Sequence, residues 1–367
     1  MIYLDNGATT LHKPVGVADA VRRAMFTCAN PGRGGYPEAM AAARVVFDCR
    51  QKAAKLFGCQ PEQVVFTFNC THGLNIAINT LVKPGARVVV SGFEHNAVTR
   101  PLHALQAKLT VAGRRLFDWN ETLENFEKAL RKGADAAVFT HVSNVFGYIL
   151  PVEQMATLCR CYGVPFVIDA AQSAGSLPVS LKDTGAEYIA MPGHKGLLGP
   201  QGTGLLLCAK QPEPLIRGGT GSDSILQQMP DYLPDRLEAG TLNVPGIAGL
   251  GAGLSYLEKV GIRNIFNREH QEANRAATGL RRMGIRTFFG PHQAATVSFV
   301  PNGDCEEFAE KLASRGVAVR AGLHCAPLAH ESAGTLETGT VRLSFGHDAA
   351  PWQTEAFLHA IKGGDLQ

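Results

Sequence analysis

The chain has little excess charge of either sign. Lys+Arg 35 against Asp+Glu 32 leaves a formal net charge of +3, too balanced for a protein that works by binding nucleic acid or a membrane surface. No apolar run is long enough for a membrane span. The start, Met1-Ile2-Tyr3-Leu4-Asp5, has neither the basic residues nor the apolar stretch of a signal peptide. No Cys-x-x-Cys pair occurs, and the nine cysteines form no regular framework. That excludes a disulfide scaffold and points to free thiols in a reducing cytoplasm. Cys159 and Cys161 fall in a helical stretch, where residues two apart face different sides. Repeats and low-complexity tracts are also missing. Hydrophobic residues make up 45% of 367, so the chain reads as globular and long enough for two domains.

What is present is alternation. Short runs that are apolar almost throughout, Val64 to Phe68, Arg87 to Ser91, Ala134 to His141, Val164 to Asp169, Ala186 to Ala190 and Gly204 to Cys208, are separated by stretches of helical spacing. Two such helices precede them, Pro14 to Phe26 and Pro37 to Phe57. Strands without polar alternation fit a sheet covered on both faces, and strand–helix alternation predicts an α/β fold with a mainly parallel, doubly wound sheet. Beyond the Gly- and Pro-rich loop Gly240 to Gly246 the texture changes. Helices at Ile247 to Val260 and Arg263 to Met283 lead into strands at Ala295 to Val300, Val317 to Arg320 and Gly339 to Phe345. Helices at Cys305 to Arg315 and Pro351 to Ile361 accompany them. The expected organisation is an extended segment over 1–15, a large domain over 16–245 and a small α+β domain over 246–367.

In open parallel sheets ligands sit beyond the carboxyl ends of the strands, so the polar residues there are the candidates. Asn69-Cys70-Thr71-His72-Gly73 opens a helix whose amides and Thr71 hydroxyl suit a phosphate, although Thr71 as a simple N-cap is equally consistent. His95 follows the next strand and reads either as a site residue or as a cap. Asn144 lies beyond the strand after that. Asp169 ends an apolar run, where a carboxylate is costly to bury without a cation such as a protonated pyridine; the alternative is a helix cap. Gln172 follows three residues later. Lys195 lies in the glycine-rich loop Met191 to Gly204, where glycines allow a flat ligand close to the backbone. A lysine in a partly closed pocket there becomes a nucleophilic amine able to form a Schiff base. A phosphate-binding turn, a stacking histidine, a strand-end aspartate and a loop lysine together describe a pyridoxal 5′-phosphate (PLP) site.

Tyr3-Leu4-Asp5-Asn6-Gly7-Ala8, Glu94-His95-Asn96, His141-Val142-Ser143-Asn144, Ile168-Asp169-Ala170-Ala171-Gln172 and Gly193-His194-Lys195 resemble the class V aminotransferase family of fold-type I PLP enzymes. The resemblance runs nearly end to end and is nearest to the cysteine desulfurases and selenocysteine lyases. It implies cofactor contacts from Cys70, Thr71, His95, Asn144, Asp169, Gln172, His194 and Lys195. Leu237 to Thr241 resembles the segment whose threonine reaches the PLP of a partner, which implies a homodimer with Thr241 in the neighbour's site. Arg320-Ala321-Gly322-Leu323-His324-Cys325 resembles the desulfurase loop R-x-G-x-x-C, which makes Cys325 the sulfur acceptor and leaves Arg320 beside the substrate. The other eight cysteines read as small buried hydrophobes. Arg342 matches the arginine that pairs with the substrate carboxylate, and the short segment before it is similar to the group II desulfurases. Pro192 stands where relatives carry a serine, which removes one phosphate contact.

The implied activity takes L-cysteine to L-alanine, with Lys195, His95 and Cys325 catalytic and the sulfur passed from Cys325 to an acceptor protein. Three alternatives remain at this level. A selenocysteine lyase would act on L-selenocysteine with the same residues. In an aminotransferase or epimerase Cys325 is incidental. A sulfur carrier would need no electron sink, and Lys195 with Asp169 argues against it. No metal site is expected.

Overall fold

A computed structural model describes residues 1–32 and 34–362. Its centre is a seven-stranded sheet. Across it the strands run Val64–Thr67, Gly204–Cys208, Tyr188–Pro192, Phe166–Asp169, Ala136–Thr140, Arg87–Val90 and Lys108–Val111. Gly204–Cys208 is antiparallel to both neighbours, and every other pairing is parallel. The mainly parallel, doubly wound sheet is therefore as the sequence predicts.

The uniform apolar runs have a direct structural cause. Every residue of Ala136–Thr140, Phe166–Asp169, Tyr188–Pro192 and Gly204–Cys208 is buried, because helices cover both faces. Alternate side chains feed two cores. Phe66, Phe139, Ile168 and Ile189 point into one; Val65, Val138, Val167 and Leu206 point into the other. The strand Lys108–Val111 lies at the sheet edge with three exposed residues, and no apolar run announces it. The helix Trp119–Arg131 is likewise not apparent as a separate apolar stretch, its buried face being only Thr122, Phe126, Ala129 and Leu130.

A second, four-stranded antiparallel sheet has the order Arg320–Gly322, Thr340–Ser344, Thr296–Val300, Arg286–Phe288. Its core includes Val297, Phe299, Val341 and Leu343, closed by Ala273, Phe308 and Phe357 from three helices. The expected strand Val317 to Arg320 is divided. Val317–Ala318 pairs in parallel with Ile2–Tyr3, while Arg320 begins a strand of the four-stranded sheet. The chain's first residues thus belong with this second sheet. The helix Val244–Val260 packs against Val15–Thr27 and Pro37–Leu56. Among the described residues, no helix is long and apolar enough to cross a membrane.

Candidate active site

Beyond the carboxyl ends of the parallel strands lies a cavity with about 500 Å³ of empty space. Asn69, Cys70, Thr71, His95, Asn144, Asp169, Gln172, His194 and Lys195 all line it. These nine come from five separate segments, brought together because each follows a strand of the one sheet or the helix that caps it.

Local chemistry explains each placement. Asn69, not Thr71, caps the helix Cys70–Leu81: its Oδ1 accepts the His72 amide at 2.9 Å. The amides of Cys70 and Thr71 are thereby left at the open end of a helix, where an anion is favoured. His95 caps the helix Asn96–Ala104, its Nδ1 accepting the Ala97 amide at 3.0 Å. That bond assigns the ring proton to Nε2. Burial lowers the His95 pKa, with Asp169 partly opposing, so the ring is neutral.

Asp169 is 2% exposed. No helix follows it, and its Oδ1 accepts the Ala171 amide at 2.8 Å and the Cys70 thiol at 3.4 Å. Lys195 is partly buried, and burial followed by the Arg342 charge lowers its amine, Asp169 opposing. Its loop packs without room for side chains. A Cβ on Gly196 would strike the Ala174 carbonyl, and one on Gly175, at φ +93, would strike the carbonyl of Gly196. Gln172 Nε2 donates to the Gly7 carbonyl at 3.0 Å. His194 Nδ1 pairs with Thr9 Oγ1 at 3.0 Å, and burial pushes its pKa down to about 4.

The remaining candidates stand outside the cavity lining. Arg342, 2% exposed, donates from Nη1 to the Asn144 carbonyl at 3.0 Å and from Nη2 to Asp5 Oδ1 at 2.7 Å. Its Nε has no partner among the described residues. Arg320 lies directly across from Arg342 in the sheet register and is exposed. Cys325 is exposed in the loop that follows. Its carbonyl accepts the Asn96 amide at 2.8 Å, and the His324 carbonyl accepts from Asn144 Nδ2 at 2.8 Å. The loop is therefore bonded to Asn144 of the cavity wall and to Asn96, which follows the wall residue His95. His324 and Cys325 both have left-handed backbones, φ +50 and +57, a conformation costing about 1–2 kcal/mol per side-chain-bearing residue. The His324 ring is buried, its Nε2 bonded to the Thr340 carbonyl at 3.1 Å. Thr241 does not line the Lys195 cavity of its own chain; it lines two others, with Phe47 and Arg50 and with Phe68 and His72.

The sequence profile of the family Aminotransferase class-V matches residues 2–357. The chain belongs to that family. Its relatives include a probable cysteine desulfurase of Pyrococcus abyssi, 33% identical over 99% of this chain and 94% of the relative. Another, from Methanothermobacter thermautotrophicus, is 32% identical over 94% and 89%. Among solved structures, a cysteine desulfurase from Thermococcus onnurineus NA1 superposes with a TM-score of 0.90 at 32% identity, covering 98% of this chain and 94% of the other. One from Escherichia coli gives 0.85 at 25% identity, over 98% and 94%.

Within this class-V chain, sequence reasoning missed several residues that shape the site. Asp5 grips Arg342, Asn96 holds the Cys325 carbonyl and Asn69 caps the helix Cys70–Leu81. The Tyr3 to Ala8 motif contained Asp5, but nothing in its neighbours signals an arginine on the last strand. Of the eight cysteines read as buried hydrophobes, Cys49, Cys70, Cys159, Cys208 and Cys305 are buried, Cys28 and Cys59 half-buried, and Cys161 exposed. Cys159 and Cys161 do face different sides.

Proposed function

We propose that this chain is a PLP-dependent cysteine desulfurase that converts L-cysteine to L-alanine and takes the sulfur on Cys325 as a persulfide. The observation that carries the reading is the exposed Cys325 in a loop hydrogen-bonded to Asn96 and Asn144, at the wall of the cavity that holds Lys195 and Asp169. The family and the desulfurase relatives support it.

The residues fit PLP. Among the described residues both hydrogen bonds to the Asp169 carboxylate fall on Oδ1, so Oδ2 is available to a ring N–H. Asn144 Oδ1 is buried without a partner among the described residues, as expected where a polar ligand belongs. The helix N-terminus at Cys70 and Thr71 offers amides to a phosphate, and Pro192, which also lines the cavity, offers none. Bound PLP supplies an electron sink for the bond changes at the substrate α-carbon.

The chain's own groups do the rest. Lys195, its amine less basic than usual, would hold the cofactor covalently and, when its amine is free, would take the α-proton at Nζ. Arg342 retains donors at Nε and on each Nη for the substrate carboxylate. Arg320 adds a second positive charge nearby. His95 presents its Nε2 proton to the cavity. The Cys325 thiolate attacks the substrate sulfur; the C–S bond breaks as the S–S bond forms, and the carbon fragment, once protonated, leaves as alanine. A sulfur-acceptor protein then takes the persulfide sulfur.

The nine free cysteines fit a reducing cytoplasm. Thr241, exposed and away from its own chain's Lys195, fits a homodimer in which it serves the partner's site. The test is alanine release from L-cysteine by the parent and by Cys325→Ala. The variant retains PLP yet loses cysteine turnover by several orders of magnitude, while some turnover of L-selenocysteine survives because a selenol leaves with less help. Undiminished turnover of L-cysteine would defeat the persulfide mechanism.

A further inference from the structure

Cys70 occupies an unusual place for a residue that could be a plain hydrophobe. It is the first residue of the helix Cys70–Leu81, and it meets a residue from a distant part of the sheet. Two strands, Gly204–Cys208 and Tyr188–Pro192, separate the one that leads to Cys70 from the one that ends in Asp169. Even so, the Cys70 thiol lies 3.4 Å from Asp169 Oδ1, and both residues line the Lys195 cavity. Asn144 Oδ1, buried and without a partner among the described residues, marks the same cavity as one that receives a polar ligand.

We infer that Cys70 is a positioning residue for Asp169: its S–H and the Ala171 amide together hold Oδ1, so that Oδ2 is turned to the pyridine nitrogen of PLP. The inference rests on the PLP reading given above. Two donors on one oxygen fix the rotation of a carboxylate that a single backbone amide would leave free to swing. The thiol stays protonated, since burial and the Asp169 charge both raise its pKa well above the usual value. It therefore donates and adds no second negative charge beside Asp169. A thiol is also a weak donor. It orients the carboxylate while withdrawing little of the charge that must stabilise the protonated ring.

Full-length protein is stripped of cofactor and titrated with PLP, with affinity read from absorbance and the linkage trapped by borohydride. Failure of the parent to trap PLP on Lys195 would defeat the PLP reading itself. If the parent binds, Cys70→Ala should bind PLP about fivefold more weakly, the worth of one modest hydrogen bond. Cys70→Ser, which keeps a donor of similar size, should stay within about twofold of the parent. In an Asp169→Ala background the Cys70→Ala effect should vanish, because the interaction partner is gone. Parent-like affinity in Cys70→Ala overturns the inference. So does an equal loss in Cys70→Ala and Cys70→Ser, or a loss that persists unchanged with Asp169→Ala, since those are the results of a simple packing role.

Discussion

Replacing Asp5 with alanine isolates the least expected contact of the site. Arg342 has a side chain 3% exposed, and its one carboxylate partner among the described residues is Asp5, 18% exposed, at 2.7 Å. Burial already works against the Arg342 charge, and Asp5 is the largest opposing influence. Asp5→Ala leaves that cation buried with only neutral partners, and breaking a buried pair from one side costs about 3 kcal/mol. An unfolding entropy of roughly 2.1 cal/mol/K per residue gives about 0.8 kcal/mol/K for 367 residues. The expected fall in Tm is therefore about 4 °C, read by calorimetry without added ligand. Glu258→Ala is the control. It breaks the Lys55–Glu258 pair, whose side chains are 76% and 51% exposed, and should move Tm by no more than about 1 °C, since exposed pairs contribute little. An anion that replaces the missing carboxylate should recover part of the loss, so L-alanine should raise Tm more in Asp5→Ala than in the parent. A Tm within about 1 °C of the parent would show that the pair contributes no more than a surface one, and the reasoning would fail.

Lys195→Ala should lose the borohydride-stable PLP label; a label found on another lysine would show the wrong amine had been assigned. Burial raises the Glu269 carboxyl from 4.5 to about 8, so between those values the folded chain holds a proton that the unfolded chain has released. That contribution is full below about pH 4.5 and is lost as pH rises through about 8. Glu269→Gln, which keeps a partner for Ser176 Oγ at 3.1 Å, should therefore lose less Tm between pH 6 and 8.5 than the parent; equal slopes would refute the assignment. Sedimentation at micromolar concentration should give a dimer, and Thr241→Ala should weaken PLP binding without changing that mass. A fully active monomer would remove Thr241 from any site.

The legible parts of this fold are those whose burial leaves one pattern only. Strands such as Ala136–Thr140, inside the sheet and covered on both faces, carry unbroken apolar runs, and a run of that kind reads directly from the chain. Lys108–Val111 does not, because an edge strand with exposed side chains is shaped by its neighbour's hydrogen bonds rather than by its own composition. Domain limits are blurred for a related reason. We propose that the small domain begins inside the helix Ile262–Arg282 and not at 246, since Ile265 lies in the core of the large sheet while Ala273 lies in that of the small one. The composition change at Gly240 to Gly246 marks a loop and carries no information about which core the next helix joins.

The cavity residues were legible because each follows an apolar strand directly, and a polar group at that point has few other reasons to be there. Contacts between the two halves of the site were not. Asp5 and Arg342 are 337 positions apart, and their meeting depends on the short pairing of Ile2–Tyr3 with Val317–Ala318. From there the first segment runs across both halves. The Gly7 amide donates to Ser344 Oγ at 2.7 Å, the Gly7 carbonyl accepts from Gln172 at 3.0 Å, and Thr10 Oγ1 donates to the Lys195 carbonyl at 3.0 Å. Arg342 lies on a strand of the small sheet, while Asp169 ends and Lys195 follows strands of the large one, and under the proposed function a substrate held by the first would react on a cofactor held by the second. Positioning across such a boundary demands fixed geometry at the level of an ångström. Residues 2–10 span it with hydrogen bonds to both sides, which is why a segment with almost no core of its own includes one of the motifs that carry the family resemblance.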